Sequence, residues 1–213
     1  MRYPPINLGS TVVIHNKRFM RRYSSKIINE NKNDIRKKYI KIRKQTHIND
    51  IYGSELIAIN LLKYIENQKI LNKNLKIALY WPMGSEINSK PTLAALSQIT
   101  NNIAIASTEN DKILFKLWIP NTPIISTNLG VILKTKELKN IDIIICPLIA
   151  FDQNCNRLGR GGGYYDKALN RKKNIIKIGF AYNIQKIAKV PTDSHDIKMD
   201  VIVTDKYIYR KKD

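Results

Sequence analysis

The residues best placed to do chemistry stand together in Arg157-Leu-Gly-Arg-Gly-Gly-Gly-Tyr-Tyr-Asp166. Gly159, Gly161, Gly162 and Gly163 let backbone N–H groups approach an anion, and Arg157 and Arg160 bring guanidinium charge beside them. The run reads as a phosphate cradle. It lacks the Gly-Lys-Ser/Thr ending of a Walker loop, and its arginines and paired tyrosines do not suit a dinucleotide fingerprint. A flexible surface loop explains neither the arginines nor Asp166 at the start of a helix. A carboxylate there caps the helix or holds a divalent ion against a nucleotide. Tyr164 and Tyr165 pack on a base or on the core, the core being expected for one of them.

The elements around the run follow from its flanks. Ile141 to Leu148, centred on Ile143-Ile-Ile145, is the strongest buried strand and leads into the glycines, and a helix over Tyr164 to Lys172 follows them. Upstream, Lys32 to Thr46 is a helix with an apolar stripe of Ile35, Tyr39 and Ile42. Lys32, Arg36, Lys37, Arg43 and Lys44 decorate the remainder. A second helix over Tyr52 to Gln68 groups Leu56, Ile59, Leu62 and Ile65 on one face. Strands are expected at Leu75–Trp81, Ile103–Ala106, Lys112–Trp118, Ile175–Tyr182, Val201–Thr204 and Tyr207–Tyr209. A helix opening near Pro91 points Leu93 and Leu96 inward. Apolar strands alternating with helices predict an α/β fold: a three-layer, open, mostly parallel sheet with helices on both faces. Ligands in such sheets bind beyond the carboxyl ends of the strands, where the glycine run falls.

The chain has 213 residues, 43% of them hydrophobic, enough for one domain with a real core. Residues 31–210 are read as that domain. Residues 1–30 form a basic extension that carries Arg2, Lys17, Arg18, Arg21, Arg22 and Lys26 and no acid before Glu30. Val12-Val-Ile14 within it is a short strand or a weak apolar patch. Such a leader suits either organelle import or a bland extension, and its apolar core is too short for a secretory signal. A cytoplasmic setting is expected, with mitochondrial import as the alternative. Cys146 and Cys155 form no disulfide pattern. The net charge of +20 reads as compositional bias together with a polyanionic ligand. No zinc-ligand pairs or RNA-binding aromatics accompany it, so no nucleic-acid partner is expected, and no apolar run is long enough for a membrane span. The default state is a monomer.

The segment Phe151–Asp166 resembles the signature of the 5-formyltetrahydrofolate cyclo-ligase family, also called 5,10-methenyltetrahydrofolate synthetase. Lys32-Asn-Asp-Ile-Arg36 resembles its amino-terminal nucleotide-contacting helix, and Tyr80-Trp-Pro82 with Glu86-Ile-Asn-Ser89 its folate-side segment. Phe115-x-x-Trp118, Asn128-Leu-Gly-Val131 and Ile178-Gly-Phe-Ala-Tyr182 through His195-Asp196 and Met199-Asp200 resemble later landmarks, so the likeness spans roughly residues 32 to 205. There are departures. Cys155 stands where the family usually has glycine, Ile132-Leu-Lys134 replaces a Glu-Pro, and a proline is missing near Ala106-Ser107.

The resemblance implies an ATP- and Mg2+-dependent closure of 5-formyltetrahydrofolate, a small-molecule folate, to the methenyl form. ATP contacts then come from Lys32, Asn33, Asp34, Ile35 and Arg36, and from Arg157, Leu158, Gly159, Arg160, Gly161, Gly162, Gly163, Tyr164 and Tyr165. Arg157, Arg160 and Tyr165 are the implied catalytic groups, Asp166 and Asp196 the implied metal ligands, and Trp81, Glu86 and Trp118 the implied folate contacts. Lys90 or Lys116 is expected to attract the glutamate tail, and His195 is read as a local hydrogen-bonding residue or a general acid. The alternatives are another ATP-dependent ligase or kinase on this fold, or a non-enzymatic nucleic-acid or folate-binding protein.

Overall fold

A computed structural model describes residues 31–170 and 174–211. The expectations for the leader, including Val12–Ile14, lie outside the described residues. Helix α1 spans Lys32–Asn49, capped by the Asn31 side chain, which accepts from the N–H groups of Asn33 and Asp34. It runs three residues beyond the expected Thr46. Helix α2 is Gly53–Asn67, β1 Ile77–Leu79, α3 Lys90–Ser97, β2 Ile103–Glu109 and β3 Lys112–Trp118. Short strands β4 (Ile125–Ser126) and β5 (Val131–Ile132) form a hairpin of their own. Strand β6 is Ile143–Pro147, and β7 (Ala150–Phe151) pairs with β8 (Arg157–Leu158). Helix α4 (Tyr164–Asn170), β9 (Ile176–Ala181), β10 (Val201–Thr204) and β11 (Ile208–Arg210) complete the order.

The main sheet runs β11-β10-β9-β6-β1-β2-β3, parallel throughout except for the antiparallel edges β11 and β3. Its inner strands are apolar on both faces because each face is covered. Ile77, Leu79, Ile103, Ile105, Ile143 and Ile145 point to the side of Leu61, Leu93 and Leu96 on α2 and α3. The intervening Ala78, Ala104, Ile144 and Cys146 point to the side of Leu169 on α4. This is the expected three-layer α/β fold.

The core face of α2 is not the expected one. Ile57, Leu61, Tyr64 and Ile65 are buried, while Leu56 and Ile59 are nearly half exposed. The helix carries two overlapping apolar stripes, and contact with α3 and β10 selects the one that includes Tyr64.

The chain leaves β1 through α3 toward β2 but leaves β6 through α4 toward β9, on the opposite side. Neighbouring β1 and β6 therefore bound a topological switch point, and the loops after both strands open at their carboxyl ends. Helix α1 packs on these loops through Ile35, in a small core with Ala150, Leu158 and Val190.

Candidate active site

A cavity of about 300 Å3 sits at that switch point. Its walls come from the loops after β1 and β6, from Lys32, Arg36 and Arg43 of α1, from the start of α4, from Asp193–Asp196, and from Leu129–Val131.

The glycine run forms one wall. Gly161 has φ +106° and Gly163 φ +66°, conformations that side chains rarely adopt, and a Cβ on Gly161 would lie 3.4 Å from the Arg36 guanidinium carbon. Arg36 grips the loop by donating from Nε to the Gly159 carbonyl at 2.9 Å and from Nη1 to Asn33 Oδ1 at 2.6 Å. Arg157 is buried, and its Nη2 donates to Asp166 Oδ1 at 2.7 Å. Its Nε has no hydrogen-bond partner, which is a vacant donor beside the cavity. Arg160 is exposed at the mouth against Met83. Tyr165 lies beneath the Arg157 guanidinium, 5.7 Å from ring centre to Cζ. Burial, with smaller contributions from Cys146 and Glu86, holds its phenol well above the ordinary range, so it stays a neutral donor.

Lys32 closes the opposite side by pairing with Asp193 at 2.6 Å and with Asp196. Burial opposes its charge, yet the two carboxylates prevail and raise its pKa. Asp196 is likewise pushed up by burial, but hydrogen bonds from Lys32 and the Asp193 N–H bring it below the usual carboxylate range. Ligand atoms of Asp193, His195 and Asp196 lie within 4.8 Å of one another. The two carboxylates at the rim suit a hard divalent ion that is shared with phosphate oxygens. Asp166 stands outside this group, with Oδ1 taken by Arg157 and by the Ile197 N–H at 3.1 Å. His195 is exposed within the acidic corner. Asn33, Asp34 and Ile35 do not line the cavity: Asn33 braces Arg36, Asp34 sits in the capped first turn, and Ile35 anchors the helix in the core.

At the other end Glu86 is buried, 4% exposed, and its Oε2 accepts from the Met83 N–H at 3.0 Å. Burial raises its pKa, while Arg43, the Met83 N–H and Arg160 oppose the rise. Trp81 lines the same end, with the Lys90 ammonium 4.8 Å from its ring centre. Lys116 is engaged with Glu109 at 3.5 Å.

Trp118 is not part of the site. It pairs with Ile103, at the opposite end of β2 from the cavity, and packs on the core. Because β3 runs antiparallel to β2, only its first residues reach the site, and Ile113 lines the cavity in place of Phe115 or Trp118. Two residues were missed in the sequence: Asp193, which pairs with Lys32 at the rim, and Arg43, buried beside Glu86. The position of Arg43 seven residues, about two turns, after Arg36 puts it on the same helix face, a signal that the surrounding lysines hide.

The departures have local explanations. Cys155 has φ +62°, the conformation that favours glycine, in a turn tied together by the Asp152 carboxylate. Leu133 is a core residue whose N–H donates to Ser107 Oγ at 3.1 Å, so the two altered segments hold each other.

The family model for the 5-formyltetrahydrofolate cyclo-ligase family matches residues 28–205. A 5-formyltetrahydrofolate cyclo-ligase of Haemophilus influenzae is 29% identical over 187 residues, covering 82% of this chain and 98% of that protein. The Mycoplasma genitalium protein of that name is 28% identical, covering 81% and 96%. Among solved structures, the 5,10-methenyltetrahydrofolate synthetase of Aquifex aeolicus superposes with a TM-score of 0.67 at 27% identity, covering 85% of this chain and 93% of that one. The Mycoplasma pneumoniae synthetase gives a TM-score of 0.63 at 27% identity over 83% and 99%. With its glycine run and buried carboxylate facing one cavity, and its family model matched over most of its length, the chain belongs to the 5-formyltetrahydrofolate cyclo-ligase family.

Proposed function

We propose that the protein converts 5-formyltetrahydrofolate and ATP to 5,10-methenyltetrahydrofolate, ADP and phosphate. The supporting observation is one cavity with two chemically distinct ends, phosphate donors at the glycine run and an acceptor carboxylate at Glu86. The pterin edge presents an amino group and a ring N–H that Glu86 can accept together, and Trp81 covers the folate beside it. The formyl oxygen then attacks the γ-phosphorus and ADP leaves, giving an imidate phosphate. N10 attacks the activated carbon and loses its proton, and the C–O bond breaks as phosphate departs with its electron pair. No protein nucleophile is needed.

The chain supplies positioning and charge neutralisation. Loop N–H groups and the Arg157 and Arg160 guanidinium groups meet the phosphates, Lys32 and Arg36 approach from α1, and neutral Tyr165 donates to an oxygen of the transferring group. One such donor to developing charge contributes about 3 kcal/mol, by analogy with an oxyanion hole. Asp196 and Asp193 would hold Mg2+, which neutralises phosphate charge when bound, while Asp166 fixes the Arg157 guanidinium. We further take the protein to act as a cytoplasmic monomer; light scattering and imaging of a tagged full-length chain address those two points. Among the described residues no helix is long and apolar enough to cross a membrane.

The test is methenyltetrahydrofolate absorbance, expected only when ATP, Mg2+ and 5-formyltetrahydrofolate are combined. ATP turnover indifferent to the folate would refute the assignment. So would absence of product with both ligands shown to be bound.

A further inference from the structure

The scheme above leaves one buried cation unused. Arg43 is 6% exposed and lines the cavity. Its Nε donates to Ser85 Oγ at 3.2 Å and its Nη1 to the Leu148 carbonyl at 3.1 Å. It thus ties α1 to both loops of the switch point. No carboxylate stands within ion-pair distance of it among the described residues, so its charge is not neutralised locally. Glu86, next to Ser85 in the chain, is the group that most favours that charge against burial. The relation is mutual, since Arg43 is the foremost influence opposing the upward push of burial on the Glu86 carboxyl. The other titratable groups facing Glu86 are Arg160, which acts in the same sense from the mouth, and Tyr80 and Tyr165, both kept neutral by burial.

Resting on the folate reading of Glu86, we propose that Arg43 is the positioning residue of the folate half-site: its bonds to Ser85 and the Leu148 carbonyl anchor the Ser85–Glu86 segment and set a buried positive charge beside the carboxylate that meets the pterin edge. Only the ionised carboxylate offers both oxygens as acceptors; a protonated one turns an O–H toward the ring donors.

The experiment compares wild type, Arg43→Met, Arg43→Lys, Glu86→Gln and the Arg43→Met/Glu86→Gln pair as full-length chains, with steady-state kinetics across pH. Removing an adjacent positive charge raises a carboxyl pKa, so folate kcat/KM in Arg43→Met should fall about tenfold more than in wild type toward the acid end of the profile. The KM for ATP should stay unchanged. Arg43→Lys should restore the wild-type pH profile, and Arg43→Met should add no pH dependence in the Glu86→Gln background. A loss equal at every pH, or one shared by the ATP KM, would reduce Arg43 to a structural tie and overturn the proposal. If Arg43→Met does not fold, Arg43→Lys decides: a retained acid limb supports the role, and a pH-independent loss refutes it. A wild type that neither binds nor cyclises the folate overturns the function and this role together, whereas a working wild type with unmoved profiles overturns the role alone.

Discussion

Replacing Asp166 with Ala should destabilise the fold as well as the site. The Arg157 side chain is 3% exposed and that of Asp166 17%, with Nη2 and Oδ1 2.7 Å apart. Asp166 also accepts the Ile197 N–H, and Arg157 Nε already lacks a partner. Removing the carboxylate therefore leaves a nearly dry guanidinium uncompensated, a situation that costs about 3–5 kcal/mol. Arg157 lines the cavity and can turn into it to recover water, which places the expected loss near 3 kcal/mol. For a domain of this size that lowers Tm by roughly 6–12 °C. The assay is urea unfolding with a double-mutant cycle. Arg157→Met/Asp166→Ala replaces the pair with apolar groups and should unfold much closer to wild type than the two single losses sum to. A loss below about 1 kcal/mol for Asp166→Ala, the range of exposed pairs, would refute the reasoning, as would simple additivity.

Other expectations follow from placement. Trp81→Ala should raise the folate KM about tenfold, a loss of about 1.4 kcal/mol of binding, whereas Trp118→Leu should leave it within about twofold because Trp118 lies at the far end of the sheet. Equal effects in folate titrations would contradict the site drawn here. Asp196 is held below its ordinary pKa, so its stabilisation is present above the unfolded-state value and lost as pH falls through the folded one. Thermal melts should then show a shallower acid decline in Asp196→Asn than in wild type. Gly130 has φ +156°, and a Cβ there would meet Thr108 Oγ1 at 2.5 Å. Gly130→Ala should cost about 1–3 kcal/mol in denaturant titration.

The parallel strands were legible because a sheet covered on both faces requires continuous apolar runs, as in Ile143–Cys146. The short pairs β4–β5 and β7–β8 were not, since two-residue strands carry no periodicity. In α2 two apolar stripes compete, and only docking on α3 and β10 chose between them. Trp118 was misplaced for a related reason: nothing in its neighbours tells which end of β3 meets the cavity until β3 is paired antiparallel with β2.

Local chemistry is what the amino-acid sequence determines here. Glycines at Gly161 and Gly163 permit backbone that other residues resist, and Arg157 and Arg160 bring planar guanidinium donors. Those properties belong to the residues themselves and mark a candidate anion site before any fold is known. The tertiary structure alone decided which groups meet that site. Divergence of the chain from β1 and β6 opens the crevice, and α1 lies across it. That arrangement turns Arg43, one cation among many in a basic helix, into the buried neighbour of Glu86. Burial and through-space charge depend on distances between segments far apart in the chain, which no local pattern encodes.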